Sequence, residues 1–441
     1  MQKQMTKVVK FGGSSLADAG QFKKAADIVR AEESRRYVVP SAPGKRFSGD
    51  DKITDLLYSC YEKAARGEDF DEVFDVVCGR YNDIVRDLGM EGCSLDSEFA
   101  YIRNALLHRA GRDYVASRGE YLNARILARY LGYDFIDAAE VIFFSDNGAF
   151  DSEETNRVLR ERLSRHERAV IPGFYGTMPN GTIKTFSRGG SDITGAIVAR
   201  AARADLYENW TDVSGFLAAD PRIVDDPAVI DVITYRELRE LSYMGATVLH
   251  EDSIFPVRFA AIPINIRNTN DPAAPGTMIV PRAEPGAGPV ITGVAGKKGF
   301  SVITLEKDMM NSEVGFGRRV LEVLEKEGIS FEHLPSGIDT MSVIVNTHFL
   351  EGRREQILAS ICKYAQPDTV QIDDDLALIA VVGRNMVRNK GTAAKLINAI
   401  SRAGVNIRMI DQGSSELNII VAVSGPDYEV AFRAIYEAFR E

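Results

Sequence analysis

Two glycine loops carry residue types suited to handling phosphate: Lys10-Phe11-Gly12-Gly13-Ser14-Ser15 and, far along the chain, Ser187-Arg188-Gly189-Gly190-Ser191-Asp192. The first follows the apolar pair Val8-Val9 and precedes a helix-like stretch from Gln21 to Glu33, so it lies where a strand gives way to a helix. Backbone N–H groups at such a junction point at anions, and glycine lets a phosphate approach with no Cβ in the way. The second loop is followed by Ile193-Thr194-Gly195-Ala196-Ile197-Val198-Ala199, which is small and apolar at helical spacing and so also opens a helix. Either glycine pair alone could be an ordinary turn. A lysine at one strand end, an aspartate at the other helix start and a glycine pair in each make a joint active site the better reading.

The elements that must hold these loops alternate between strand and helix: Lys7–Phe11, a helix from Gln21, Tyr37–Ser41, a helix from Ile53, then Val170–Phe174, a helix from Asp192, Leu206–Asn209 and Ile262–Arg267. That alternation predicts an α/β fold with a mostly parallel sheet sandwiched by helices. Residues 68–110 read as mainly helical and are expected to form an excursion over the sheet. Proline and glycine then concentrate at 271–276 and 281–289, which is linker chemistry, and places a boundary between domains 1–285 and 286–441.

Beyond the linker the chain repeats itself. Laying Gly328-Ile329-Ser330-Phe331 on Gly404-Val405-Asn406-Ile407 pairs, without a gap, Gly315 with Gly391, Gly337 with Gly413, and Val343-Ile344-Val345 with Ile419-Ile420-Val421. In the first copy, strands are expected at Ser301–Leu305, Ile329–Leu334 and Met341–Asn346, with a helix at Arg318–Lys326. The copies, about 301–346 and 377–422, are too few for a solenoid and predict two small α+β modules packed on each other.

Composition limits the class. The 441 residues are too many for one ordinary core, and 45% hydrophobic with 26% charged residues is that of a globular protein. A net charge of −10 argues against a nucleic-acid surface. No apolar run approaches the ~20 residues of a membrane span, and no signal peptide is evident. Cys60, Cys78, Cys93 and Cys362 have neither zinc-site nor disulfide spacing, so a cytoplasmic protein without a metal centre is expected.

At this point the chain resembles the aspartate kinases, of the amino-acid-kinase superfamily, over nearly its whole length. The resemblance rests on Lys10–Ser15, Ser117-Arg118-Gly119-Glu120, Ser187–Asp192, Trp210-Thr211-Asp212-Val213-Ser214-Gly215, Asp220-Pro221-Arg222 and Asp411-Gln412-Gly413-Ser414-Ser415-Glu416. It implies the amino-acid-kinase fold followed by tandem ferredoxin-like ACT modules, the first inserted in the second, so that 290–295 would join the sheet of the later repeat. It also implies ATP-dependent phosphorylation of the β-carboxylate of L-aspartate, the first step toward lysine, threonine and methionine, with feedback by an amino acid. A carboxylate acceptor is already ionised at neutral pH and needs no general base. That suits a chain whose five histidines, at 108, 166, 250, 333 and 348, form no cluster.

The resemblance assigns Lys10 and Asp192 to catalysis. Lys10 would neutralise charge on the moving phosphoryl group, and Asp192 would hold Lys10 and organise the metal–nucleotide complex, or else merely cap its helix. For aspartate, Arg188 would fork onto the α-carboxylate and Glu120 would take the ammonium, unless it belongs to a surface ion pair. Ser41, Phe174 and Ser191 complete that pocket. ATP, brought as its Mg²⁺ complex, would meet Lys10, Gly12, Gly13, Ser14, Thr211, Asp212, Leu217, Arg222 and Thr247. Asp212 and Arg222 could instead pair with each other.

Where many of these kinases carry Ala-Lys-Val-Leu-His-Pro, this chain has Ala246-Thr247-Val248-Leu249-His250-Glu251, replacing a cation by a hydroxyl; Thr247 could still donate to a phosphate, or another cation such as Lys184 or Arg222 could compensate. His250 reads as a core or hydrogen-bonded histidine. The effector site is expected at Met309, Ser312, Gly315, Phe316, Ser336, Ile338 and Asp339, between ACT modules of neighbouring subunits in a homodimer. Asp339 aligns with Ser415 and Phe316 with Thr392, so one copy should bind the effector, lysine in preference to threonine. No fused homoserine dehydrogenase is expected. A sibling kinase acting on another small carboxylate and a non-catalytic amino-acid sensor are the alternatives.

Overall fold

The computed structural model describes residues 5–187, 189–246, 254–284 and 286–440, and the chain divides into two compact units. The first comprises the described residues of Met1–Phe216, Val229–Tyr235 and Thr247–Ala283. Its strands are β1 (Lys7–Phe11), β2 (Arg35–Pro40), β3 (Asp134–Phe135), β4 (Ala169–Val170), β5 (Tyr175–Thr177), β6 (Ile183–Thr185), β7 (Leu206–Thr211), β8 (Val232–Thr234), β9 (Ile264–Asn268) and β10 (Thr277–Val280). Eight of them form one sheet in the order β3-β4-β2-β1-β7-β9-β10-β8, with β5 and β6 a separate hairpin. Every described pairing in the large sheet is parallel except β9 with β10. Val8 and Val9 point to opposite faces of β1 and both are fully buried, as a central strand covered on both sides requires.

Two helices fix the sheet's carboxyl edge. Ala19–Arg30 starts after the first glycine loop, with Asp18 accepting from the Gln21 amide as its cap. Gly190–Ala202 starts after the second, and lies so close to β7 that a Cβ on Gly195 would meet the Tyr207 hydroxyl. The predicted excursion over 68–110 consists of Asp71–Asp87 and Asp96–Leu107, which, with the preceding helix Ile53–Arg66, share one apolar core with β1, β2 and the helix Arg112–Leu131.

Some expected strands are shorter. The run 329–334 is strand only at Phe331–His333, and the run 170–174 only at its start, although the Ile171 and Gly173 amides still donate to Val38 O and Pro40 O of β2 before Phe174 turns the chain away with φ +81°, a left-handed conformation.

The second unit comprises Leu217–Ala228, Arg236–Ala246 and the described residues of Glu284–Glu441. Its strands β11 (Gly293–Glu306), β12 (Phe331–His333), β13 (Thr340–Asn346), β14 (Thr369–Val382), β15 (Met409–Asp411) and β16 (Asn418–Ser424) form one antiparallel sheet, ordered β12-β13-β11-β14-β16-β15. The repeats are therefore not stacked as separate modules. They are joined edge to edge through the 14-residue strands β11 and β14, which pair along their whole length. Gly293–Lys298 of β11 lies beside Ala377–Val382 in the second copy, whereas Phe300–Glu306 pairs with β13 in the first. Each copy keeps its own apolar core, one under Phe316–Lys326 and Arg354–Ala365, the other under Thr392–Arg402 and Tyr428–Phe439. The repeat is exact at the helix starts: Gly315 and Gly391 both cap with φ near +90° (88° and 90°).

Candidate active site

Parallel strands place their carboxyl ends, and the loops that follow, on one edge of the sheet, where α/β proteins bind ligands. Lys10 stands near the end of β1 opposite Asn209 on β7. Its ammonium lies 2.7 Å from Asp192 Oδ1 and 3.4 Å from Asn209 Oδ1, and Asn209 Nδ2 in turn donates to Asp192 Oδ1 at 2.8 Å. Lys10 is 7% exposed, so this is a sheltered cation rather than a surface ion pair. The cap of the Gly190–Ala202 helix is Gly189, and it has no side-chain cap bond. The Asp192 carboxylate is thus directed to Lys10 and Asn209, and its helix position serves to aim it there.

Gly12 donates its amide to Trp210 O at 2.9 Å, tying the first loop to β7 beside Thr211 and Asp212. Gly13 meets a second constraint: a Cβ there would lie 2.9 Å from Ala42 O, and one on Gly44 would lie 2.6 Å from the Gly13 carbonyl carbon. The two loops cross backbone to backbone, with Gly44 N donating to Gly13 O at 2.8 Å. Ser14 begins a 3-10 turn, and its neighbour Ser15 is hydrogen-bonded to Thr269 at 2.7 Å. The 41–50 loop is pinned by Asp50, which accepts from Arg46 and from the buried Arg80 at 2.7 Å; Arg80 also donates to Gly44 O. Hydrogen bonds from Arg46, together with the charge of Arg80, hold the Asp50 carboxyl well below the usual carboxylate range.

Glu120 comes from the helix Arg112–Leu131 and is 5% exposed. Burial pushes its carboxyl up to about 8, partly offset by backbone hydrogen bonding at Ala42. Its Oε2 has no hydrogen-bond partner among the described residues, and neither has Oδ1 of Asn123, three residues on and hence on the same helix face. Asn123 Nδ2 donates to Ser41 O at 2.6 Å, so this face adjoins the loop after β2. Two buried acceptors lacking donors fit an ammonium group.

Phe174 and Ser191 are also brought together at the second loop. A Cβ on Gly173 would meet the Ser191 hydroxyl, and one on Gly190 would meet the Phe174 ring. The left-handed Phe174 is held by its amide donating to Thr194 Oγ1 at 3.0 Å and by its carbonyl accepting from Phe186 N at 2.9 Å. Arg188, Thr247 and His250 lie outside the described residues. Leu217 and Arg222 fall in the second unit, and Arg222 spends its fork on Asp220 at 2.6 Å rather than on Asp212. Lys184 sits on the β6 hairpin strand.

At the expected effector positions, the loop at Met309–Ser312 is tied to the turn at Ile338–Asp339. Met309 N donates to Asp339 Oδ1 at 2.9 Å, and Asn311 N to Ile338 O at 3.1 Å. Met309 and Ile338 are exposed, Ser336 donates to Leu334 O, and Gly315 frees the helix start. Phe316 points into the module core.

Reading of the sequence missed Asn209, Asn123 and the Asp50–Arg80 pair. The one signal for Asn209 is an amide in a central parallel strand, Leu206-Tyr207-Glu208-Asn209-Trp210-Thr211, where apolar residues are the rule. Its neighbour Glu208 is absorbed structurally, by Arg35 at 2.8 Å and the Trp210 indole at 2.9 Å.

A lysine and an aspartate joined at the carboxyl edge of such a sheet, with a buried acid on a facing helix, define a small-molecule phosphotransferase. Residues 5–268 match the amino acid kinase family, and residues 379–439 match the ACT domain. Aspartokinase 3 of Bacillus subtilis (strain 168) is 40% identical over 98% of each chain. The crystal structure of Clostridium acetobutylicum aspartate kinase, an allosteric enzyme, is 51% identical with a TM-score of 0.90 over 99% of each chain. E. coli aspartokinase III, 26% identical over 99% of this chain, superposes with a TM-score of 0.74 in its R-state complex with aspartate and ADP (all of that chain covered). Its T-state complex with lysine and aspartate superposes at 0.72, again with that chain covered in full. The chain belongs to the amino acid kinase family and, within it, to the aspartokinases.

Proposed function

We infer that this protein transfers the γ-phosphoryl group of ATP to the β-carboxylate of L-aspartate, giving 4-phospho-L-aspartate, and that an amino acid regulates it through the ACT modules. The observation that carries the reading is the sheltered Lys10 held 2.7 Å from Asp192 at the carboxyl edge of the sheet. Phosphoryl transfer to a carboxylate requires alignment and charge neutralisation, with no proton to remove from the acceptor. Lys10 supplies the neutralising charge, Asn209 and Asp192 keep its ammonium in place, and the amides of Gly13 and Ser14 face the nucleotide phosphates, while Gly12, whose own amide goes to Trp210 O, lets them approach with no Cβ in the way. Mg²⁺ arrives on ATP, held mainly by phosphate oxygens and water. Among the described residues no group of three or more His, Cys, Asp or Glu forms a cage for a metal ion.

Glu120 receives the substrate ammonium at its unpartnered Oε2 with help from Asn123, while Ser41, Phe174, Arg188 and Ser191 frame the rest of aspartate. Thr211 and Asp212 extend the nucleotide side from β7. The kinase domain corresponds to 1–285 and the regulatory region to 286–441. Lysine is the preferred effector, supported by the T-state complex of the E. coli relative with lysine. It binds near Met309, Ser312, Gly315, Phe316, Ser336, Ile338 and Asp339, in a dimer formed through the ACT modules. No described helix is long and apolar enough to cross a membrane.

The test is ATP- and Mg²⁺-dependent formation of aspartyl hydroxamate, trapping the acyl phosphate with hydroxylamine, with and without lysine or threonine. Product restricted to L-aspartate and suppressed by lysine is expected. Turnover of another acid instead would move the chain to a different acceptor.

A further inference from the structure

The helical excursion contains a second cleft that the phosphoryl-transfer reaction does not use. It lies between the helices Asp96–Leu107 and Arg112–Leu131, with a volume of about 320 Å³, enough for a small organic molecule. Tyr101, Ile102, Tyr114 and Tyr121 form its walls, Arg118 lines it, and Glu98 stands in its wall paired with Arg125 at 3.0 Å.

Arg118 is the unusual member. It is 7% exposed, yet no ion pair joins it to any described carboxylate. Its faces are occupied by the rings of Tyr121 at 4.5 Å, Tyr114 at 4.6 Å and Tyr175 at 5.4 Å. Its edge is not: Nε and Nη2 both go to one oxygen, Ser117 Oγ, at 3.2 and 2.9 Å, and Nη1 has no acceptor among the described residues. A guanidinium carries five donors and is rarely enclosed without an anion.

We propose that this cleft is a binding site for a small organic monocarboxylate with an apolar or aromatic body, its carboxylate on Arg118 and its body between Tyr101, Ile102 and Tyr121. The tyrosine walls favour a flat apolar body over a hydrated inorganic ion, and the Glu98 carboxylate disfavours a dianion such as phosphate. The site is separate from the aspartate pocket, and the inference stands whether or not aspartate is the phosphoryl acceptor.

The probe is benzoate, titrated calorimetrically into the full-length protein, with benzamide and inorganic phosphate as controls. Saturable 1:1 binding of benzoate is expected, absent for benzamide and phosphate and unaffected by saturating L-aspartate. Arg118→Met should weaken it at least about tenfold, the scale of one charge-assisted hydrogen bond. The exposed-rim change Tyr101→Ala, which leaves the helix core untouched, should weaken it severalfold. No saturable binding to the wild-type protein, equal binding of phosphate, displacement by aspartate, or an unchanged affinity in a folded Arg118→Met would each overturn the proposal.

Discussion

Burial of Glu120 pushes its carboxyl up to about 8, so below that pH the acid waits protonated in the pocket. An incoming ammonium favours the charged form, and aspartate should therefore displace a proton as it binds. The KM for aspartate should fall as pH rises through about 8, and a pH-independent KM would remove Glu120 from substrate binding. The same group tilts stability. Because the folded chain keeps this proton to a higher pH than the unfolded one, folding loses stability as pH rises from the ordinary glutamate range through about 8. Glu120→Gln should flatten the decline of Tm over that window while abolishing aspartate binding. Lys10→Ala should lower kcat by about 10²–10³ with the fold intact, the scale of losing one preorganised charge. Asn209→Ala leaves Lys10 its carboxylate partner but frees its position, and should cost roughly tenfold to a hundredfold in kcat with little change in KM.

Elements explain why some of this could be read in advance and some could not. The glycine loops, the strand–helix alternation and the repeat are local patterns, legible because their period or spacing survives in one dimension. Asn209 is chosen by register: only the parallel pairing of β1 with β7 sets it opposite Lys10, and no spacing in the sequence carries that. Phe174 misled for the opposite reason, since an apolar run bounded by glycine reads as strand while tertiary packing bends it to φ +81°. Gly44 illustrates a third case. Its lack of a side chain is required by the crossing of two loops, and Gly44→Ala should destabilise the protein by about 1–3 kcal/mol and reduce activity further by displacing the Gly12-Gly13 amides. Thermal unfolding alongside hydroxamate formation checks both; a variant with unaltered Tm would show that the loops can separate freely.

On the scale of the whole molecule, the second unit keeps the geometry of its two halves equal while their chemistry differs. Gly315 and Gly391 cap equivalent helices alike, but Asp339 of the first copy aligns with Ser415 of the second. Asp339→Ala should release the enzyme from lysine inhibition, whereas Ser415→Ala should leave it inhibited; equal loss from both would mean that the copies share the effector equally. Half-inhibitory lysine concentrations for the two variants decide it.

Strands β11 and β14 each run through both copies, so neither copy owns a complete sheet. A frameshift or deletion that erased the less discriminating half would also strip the other of its backbone partners. The second copy is therefore needed as scaffolding for the first whether or not it binds anything itself.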